Sequence, residues 1–159
     1  MNGQLNNVLM IDDERQCVEY YLINLRSKGV SVRLITDFQK GRGQVQAHSR
    51  EYDVIVVDLI EFTRTEKSTN QAPRGGGADE TADPGYTERG LAMGRWVLDA
   101  IPPECPVLVL TNRDPGEIEW IDEYSTRFAT FGLATKSDCP AYEFYDFLRN
   151  FLSENGDGP

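Results

Sequence analysis

Three runs, Val8-Leu9-Met10-Ile11, Val54-Ile55-Val56-Val57 and Val107-Leu108-Val109-Leu110, are apolar without a break and rich in β-branched residues. A strand with one wet face alternates polar and apolar side chains. Unbroken runs this short instead point to strands covered on both faces, as in a parallel sheet between helices. Residues 30–35 differ. There Val30, Val32 and Leu34 alternate with Ser31 and Arg33, which predicts a more exposed strand at a sheet edge. A fifth, weaker strand is expected from about Phe131 to Thr135.

Helical periodicity fills the gaps between these strands. Val18, Tyr21, Leu22 and Leu25 recur at i, i+3, i+4 and i+7, and Gly29 supplies a stop. Leu91, Gly94, Leu98 and Ile101 repeat the pattern before Pro102-Pro103 ends it. Ile118, Ile121 and Tyr124 predict a shorter helix after Asp114-Pro115, with proline near its first position. Tyr145, Leu148 and Leu152 predict a last helix after Cys139-Pro140. Residues 37–49 complete the alternation, although Gly41 and Gly43 make that helix a poor one. Regular β-α alternation with right-handed crossovers gives an α/β fold with a doubly wound, five-stranded parallel sheet. An edge-like second strand and a central first strand suit the order 2-1-3-4-5.

In that order every strand ends on the same sheet edge, and four of the ends carry a polar group. Asp12 and Asp13 follow the first run, Asp58 the second, Thr111 closes the third, and Lys136 follows the fifth strand. The switch point between strands 1 and 3 is the crevice where such sheets bind ligands, and it brings the three aspartates together. Three carboxylates, a hydroxyl and an ammonium suit a cation and a phosphoryl group. Asp58 would be the phosphoacceptor, and Asp12, Asp13, Asp58 and the backbone carbonyl of Ile60 would hold Mg²⁺. Lys136 and Thr111 would receive the phosphoryl oxygens.

The chain has 159 residues, enough for one domain, with a net charge of −10 that argues against a nucleic-acid or anionic-membrane surface. No run approaches the length needed to span a bilayer. Three widely spaced cysteines give neither a disulfide framework nor a zinc site, and reduced thiols suit a cytoplasmic protein. A single domain is expected over residues 1–152, with 153–159 as a disordered tail. Within it, 63–89 reads as a flexible insertion: it is polar, holds Arg74-Gly75-Gly76-Gly77, and exceeds ordinary connection lengths.

Ile11-Asp12-Asp13-Glu14, Val57-Asp58-Leu59, Leu110-Thr111 and Thr135-Lys136 resemble, in order and spacing, the receiver domain of two-component response regulators. The stretch from Ile101 to Val107 is similar to that family too, and the resemblance runs from about Asn7 to Leu152. It implies a flavodoxin-like (βα)5 fold, Mg²⁺, and a phosphoryl group taken from the phosphohistidine of a histidine kinase or phosphotransfer protein. It also implies a signalling phosphoacceptor rather than an enzyme, standing alone and acting by protein–protein contact, with a homodimer left open. Gly90 matches the glycine that opens the third helix. The family's Met-Pro after the acceptor is missing, Ser137 stands where a cis proline is usual, and Leu133 occupies the position of an aromatic switch.

Blander readings exist for each residue. Asp12-Asp13-Glu14 could merely favour a helix N-terminus, Thr111 could be a capping residue, and Lys136 a solvated charge. His48 reads as an exposed surface residue, and Trp96 and Trp120 as core or rim. Asp58 is harder to excuse, because an acid at a buried strand end needs a partner. A flavin site would want an anion cradle where Asp12-Asp13-Glu14 stands. A dehalogenase-type phosphatase would want an acid where Ile60 stands. The stronger alternative is a phosphorylation-independent pseudo-receiver, an interaction module of the same fold.

Overall fold

The computed structural model describes residues 3–59 and 84–156, with backbone alone at 84–89. Its strands are β1 (Asn7–Ile11), β2 (Ser31–Ile35), β3 (Val54–Val57), β4 (Val107–Thr111) and β5 (Phe131–Thr135). Its α-helices are α1 (Arg15–Ser27), α2 (Phe38–His48), α3 (Pro84–Ala100), α4 (Ile121–Arg127) and α5 (Phe144–Gly156). The sheet is parallel throughout, in the expected order β2-β1-β3-β4-β5.

The unbroken apolar runs divide by alternation between two cores. Leu9, Ile11, Ile55, Val57, Val107 and Val109 face α2, α3 and α4. Val8, Met10, Val54, Val56, Leu108 and Leu110 face α1 and α5. Both faces are therefore covered, and β2 and β5, the edges, keep partly exposed side chains.

The helices follow the sequence pattern with four differences. α3 starts at Pro84, inside the segment read as insertion, because proline is at ease in a first turn where its missing N–H costs nothing. Gly90 therefore lies within the helix rather than opening it, and residues 60–83 fall outside the described residues. Asp114 caps a 3₁₀ turn at Pro115–Glu117 by accepting the Gly116 N–H, and α4 begins only at Ile121. Ile121 and Tyr124 form its buried face, and Ile118, just before it, is buried too. On α5 the buried stripe is Phe144, Leu148 and Phe151: Leu148 is as expected, while the wholly apolar Phe144 and Phe151 take the core and their neighbours Tyr145 and Leu152 are only partly buried. That helix also runs to Gly156, through the first residues expected as tail. Its last turns are tied by Ser153 Oγ to Arg149 O and Asn155 Nδ2 to Phe151 O.

Two helical glycines mark close approaches. A Cβ on Gly41 would lie 2.9 Å from Ile11 Cγ2, so the residue that weakens α2 as a helix lets it sit against β1. A Cβ on Gly94 would lie 2.0 Å from Leu59 O. Backbone cannot give way there as a side chain can, so only glycine lets α3 pass the chain that has just left Asp58.

Gly94→Ala should therefore cost about 3 kcal/mol in denaturant unfolding. Gly43→Ala, on the exposed side of α2 with nothing within 4 Å of the added carbon, should gain about 0.5–1 kcal/mol.

Candidate phosphoryl and metal site

The strand ends are fixed by ladder bonds that continue one residue past each strand. Asp12 N–H donates to Ile35 O at 3.1 Å, Asp58 N–H to Ile11 O at 2.9 Å, and Lys136 N–H to Thr111 O at 2.9 Å. Each of these three candidate residues is thus held by the last residue of a neighbouring strand. Their side chains enter one crevice.

Asp12, Asp58 and Thr111 are buried and Asp13 is half-buried. Lys136 Nζ donates to Asp12 Oδ2 at 2.7 Å and lies 3.8 Å from Asp58 Oδ2. Asp58 Oδ1 accepts the Leu59 N–H at 2.8 Å, and Asp12 Oδ1 accepts the Glu14 N–H at 2.9 Å. The capping half of the bland reading of the acidic run fails here: Glu14 takes the N-cap position of α1 and makes no side-chain capping bond. The modest reading of Thr111 holds in part, since its Oγ1 accepts the Arg113 N–H at 3.2 Å. Its own O–H can still be donated to another oxygen. Lys136 is no solvated surface charge, its side chain being 8% exposed.

Burial pushes the Asp58 carboxyl up to about 8, helped by the neighbouring Asp12 charge and opposed by Lys136 and the Leu59 amide. Burial raises Asp12 as well, with Lys136 pulling the other way. Burial alone would lower the Lys136 ammonium, but Asp58 and Asp12 outweigh it and the net shift is upward. When all its acids are ionised the cluster sets three negative charges against one positive. Asp12, Asp13 and Asp58 can each offer one oxygen, and these oxygens lie within 4.8 Å of one another. Hard carboxylate oxygens at that spacing fit a hard divalent cation such as Mg²⁺. Ile60, whose carbonyl was expected as a further ligand, lies outside the described residues.

Tyr21 escaped functional notice in the sequence, where it reads only as part of the buried stripe of α1. Its hydroxyl lies 2.6 Å from Cys139 O and 3.1 Å from Lys136 O. The available signal was a phenol in an otherwise aliphatic stripe, since a buried tyrosine O–H usually has a partner. His48 is exposed beside Glu51, Nδ1 to Oε1 at 2.8 Å. Trp96 and Trp120 are rim residues lying under Arg42 and Arg95.

No protein-family model matches the sequence, and no curated protein matches it. Solved structures do match its shape. A response regulator receiver domain protein from Clostridium thermocellum superposes with a TM-score of 0.59 at 17% identity, covering 96% of this chain and 98% of that one. A CheY-like response regulator receiver domain protein from Methanospirillum hungatei JF-1 gives 0.57 at 11% identity, covering 96% and 98%. The chemotaxis response regulator CheY4 of Vibrio cholerae gives 0.52 at 18% identity, covering 94% and 100%. The chain has the flavodoxin-like fold of the CheY-like receiver domains. No helix among its described residues is long and apolar enough to cross a membrane.

A pH dependence follows for the metal-free protein. Asp58 ionises near 3.8 as an unperturbed group and near about 8 in the fold. Between those values the unfolded chain has lost a proton that the folded chain keeps, so stability falls as pH rises through the window. Thermal unfolding in chelator across this range should show that decline, and Asp58→Asn should flatten it. Saturating Mg²⁺ should reverse it, because the cation favours the ionised carboxylates.

Proposed function

We propose that this protein is a response-regulator receiver. Asp58 accepts a phosphoryl group from a histidine kinase or phosphotransfer protein, with Mg²⁺ as cofactor, and the modified chain signals by protein–protein contact. The observation that carries the reading is the convergence of Asp12, Asp13, Asp58 and Lys136 in one buried crevice of a receiver fold. Thr111 is buried at the end of the neighbouring strand.

An Asp58 carboxylate oxygen attacks the phosphorus of the partner's phosphohistidine. The P–N bond breaks, its electron pair leaves with the imidazole nitrogen, and an acyl phosphate remains on Asp58. The nucleophile must be ionised, which its surroundings resist. Asp12, Asp13 and Asp58 would hold Mg²⁺, which would supply the missing positive charge for the carboxylates and for the phosphoryl oxygens. Lys136 Nζ, bonded to Asp12 and 3.8 Å from Asp58, needs only a small movement to meet a phosphoryl oxygen. The Thr111 hydroxyl is a donor for another. Any rotation of it toward that oxygen would strain the bond it accepts from the Arg113 N–H and so bias the loop that leads to α4.

Intact mass after incubation with acetyl phosphate and Mg²⁺ should show one added phosphoryl group, absent in chelator and absent in Asp58→Asn. An adduct that survives Asp58→Asn would sink the reading. Mg²⁺ alone at a hundredfold excess over its dissociation constant should stabilise the fold by about 2.7 kcal/mol. Asp13→Ala should remove most of that gain in a melting experiment.

A further inference from the structure

The peptide unit that carries Lys136 is held on both sides. Its N–H donates to Thr111 O, and its C=O lies 3.1 Å from the Tyr21 hydroxyl, which also reaches Cys139 O at 2.6 Å. One phenol on α1 therefore reaches both carbonyls with a single proton, shared between the nearer Cys139 O and, as the weaker arm, Lys136 O. The rest of that turn is tied internally: Asp138 and Cys139 N–H donate to Thr135 O, and Thr135 Oγ1 donates to Asp138 Oδ2 at 2.8 Å. These bonds shape the turn; its other tie to α1, Asn24 Nδ2 to Tyr142 O at 2.9 Å, lies six residues beyond the lysine. Ser137 follows the lysine, so no proline ring fixes the backbone there.

Tyr21 is well suited to anchor it. The residue is 5% exposed, and its ring packs edge-on against Phe144 with centroids 4.9 Å apart. Burial raises the phenol above its ordinary value, so the hydroxyl remains a donor. The lysine ammonium sits at the end of a flexible four-carbon stem. Where its nitrogen rests between Asp12 and Asp58 depends on where the backbone starts that stem.

We propose that Tyr21 is a positioning residue for Lys136: its hydroxyl, by holding the Lys136 and Cys139 carbonyls, sets the ammonium against the acidic crevice. The inference rests on the receiver reading for its catalytic consequence and on geometry alone for its structural one.

Tyr21→Phe keeps the ring and removes the donor. The rate of Asp58 phosphorylation from acetyl phosphate should fall about tenfold, as misplacement of a reacting group costs, while Mg²⁺ affinity is kept. In a Lys136→Ala background the same substitution should change the rate little, because the group it positions is gone. p-Aminophenylalanine in place of Tyr21, which restores a donor, should recover most of the rate and serves as the informative variant if Tyr21→Phe folds poorly. An equal loss in both backgrounds, or no loss, would overturn the proposal. The ¹⁵Nζ resonance of Lys136 gives a readout independent of phosphorylation. It should shift in Tyr21→Phe and stay unchanged in Tyr20→Phe, on the exposed side of α1. If the wild type takes up no phosphoryl group, the receiver reading fails. The positioning claim then stands or falls on that resonance, and an unmoved signal sinks it.

Discussion

A lysine ammonium buried between two aspartates, 2.7 Å from Asp12 and 3.8 Å from Asp58, is the interaction on which the carboxyl edge of the sheet depends. Taken from water alone, any of these charges would cost several kcal/mol. Together they offset one another only in part, and the remaining imbalance appears as a raised Asp58. Such a cluster does not maximise stability, since apolar side chains of the same volume would serve at least as well. It is retained charge, held under tension at the point where a parallel sheet opens to ligands.

The fold holds this tension with backbone rather than with side chains. Asp12, Asp58 and Lys136 are each bonded through their own N–H to the last residue of an adjacent strand. The two cores then clamp the strands from both faces. Gly94 extends the constraint to the chain beyond Asp58, because α3 approaches Leu59 too closely for any side chain. The loop after Thr111 is held by lighter means, a hydroxyl–amide bond and a short 3₁₀ turn before α4.

α4 itself is short but well tied. Arg127 donates to the carbonyls of Asp99 at 2.9 Å and Ile101 at 3.1 Å near the end of α3. A cation at a helix C-terminus both satisfies orphan carbonyls and complements the dipole. Tyr124 donates to Asp99 Oδ1 at 2.5 Å, and Arg95 stacks over Trp120. A displacement of the 111–120 loop would therefore be felt by α3 and α4 as a pair.

The apolar runs determined the parallel sheet, because strands covered on both faces have no polar side of their own. Alternation at Val30–Leu34 likewise determined which strand lies at the edge. That the polar residues closing those runs would meet was legible too, since a parallel sheet sends all its strand ends to one side. Helix boundaries were less legible: Pro84 starts α3 six residues before Gly90, and the 3₁₀ turn at Pro115–Glu117 delays α4. Local propensity permits either boundary, and packing chooses. Only the tertiary structure decided that Lys136 bonds Asp12 more closely than Asp58, that Gly94 must yield to Leu59, and that Tyr21 reaches across 115 positions to the Lys136 carbonyl. Sequence periodicity reports which face of an element is dry. The angle at which two elements cross, and so which polar atoms meet, is fixed only when their side chains pack.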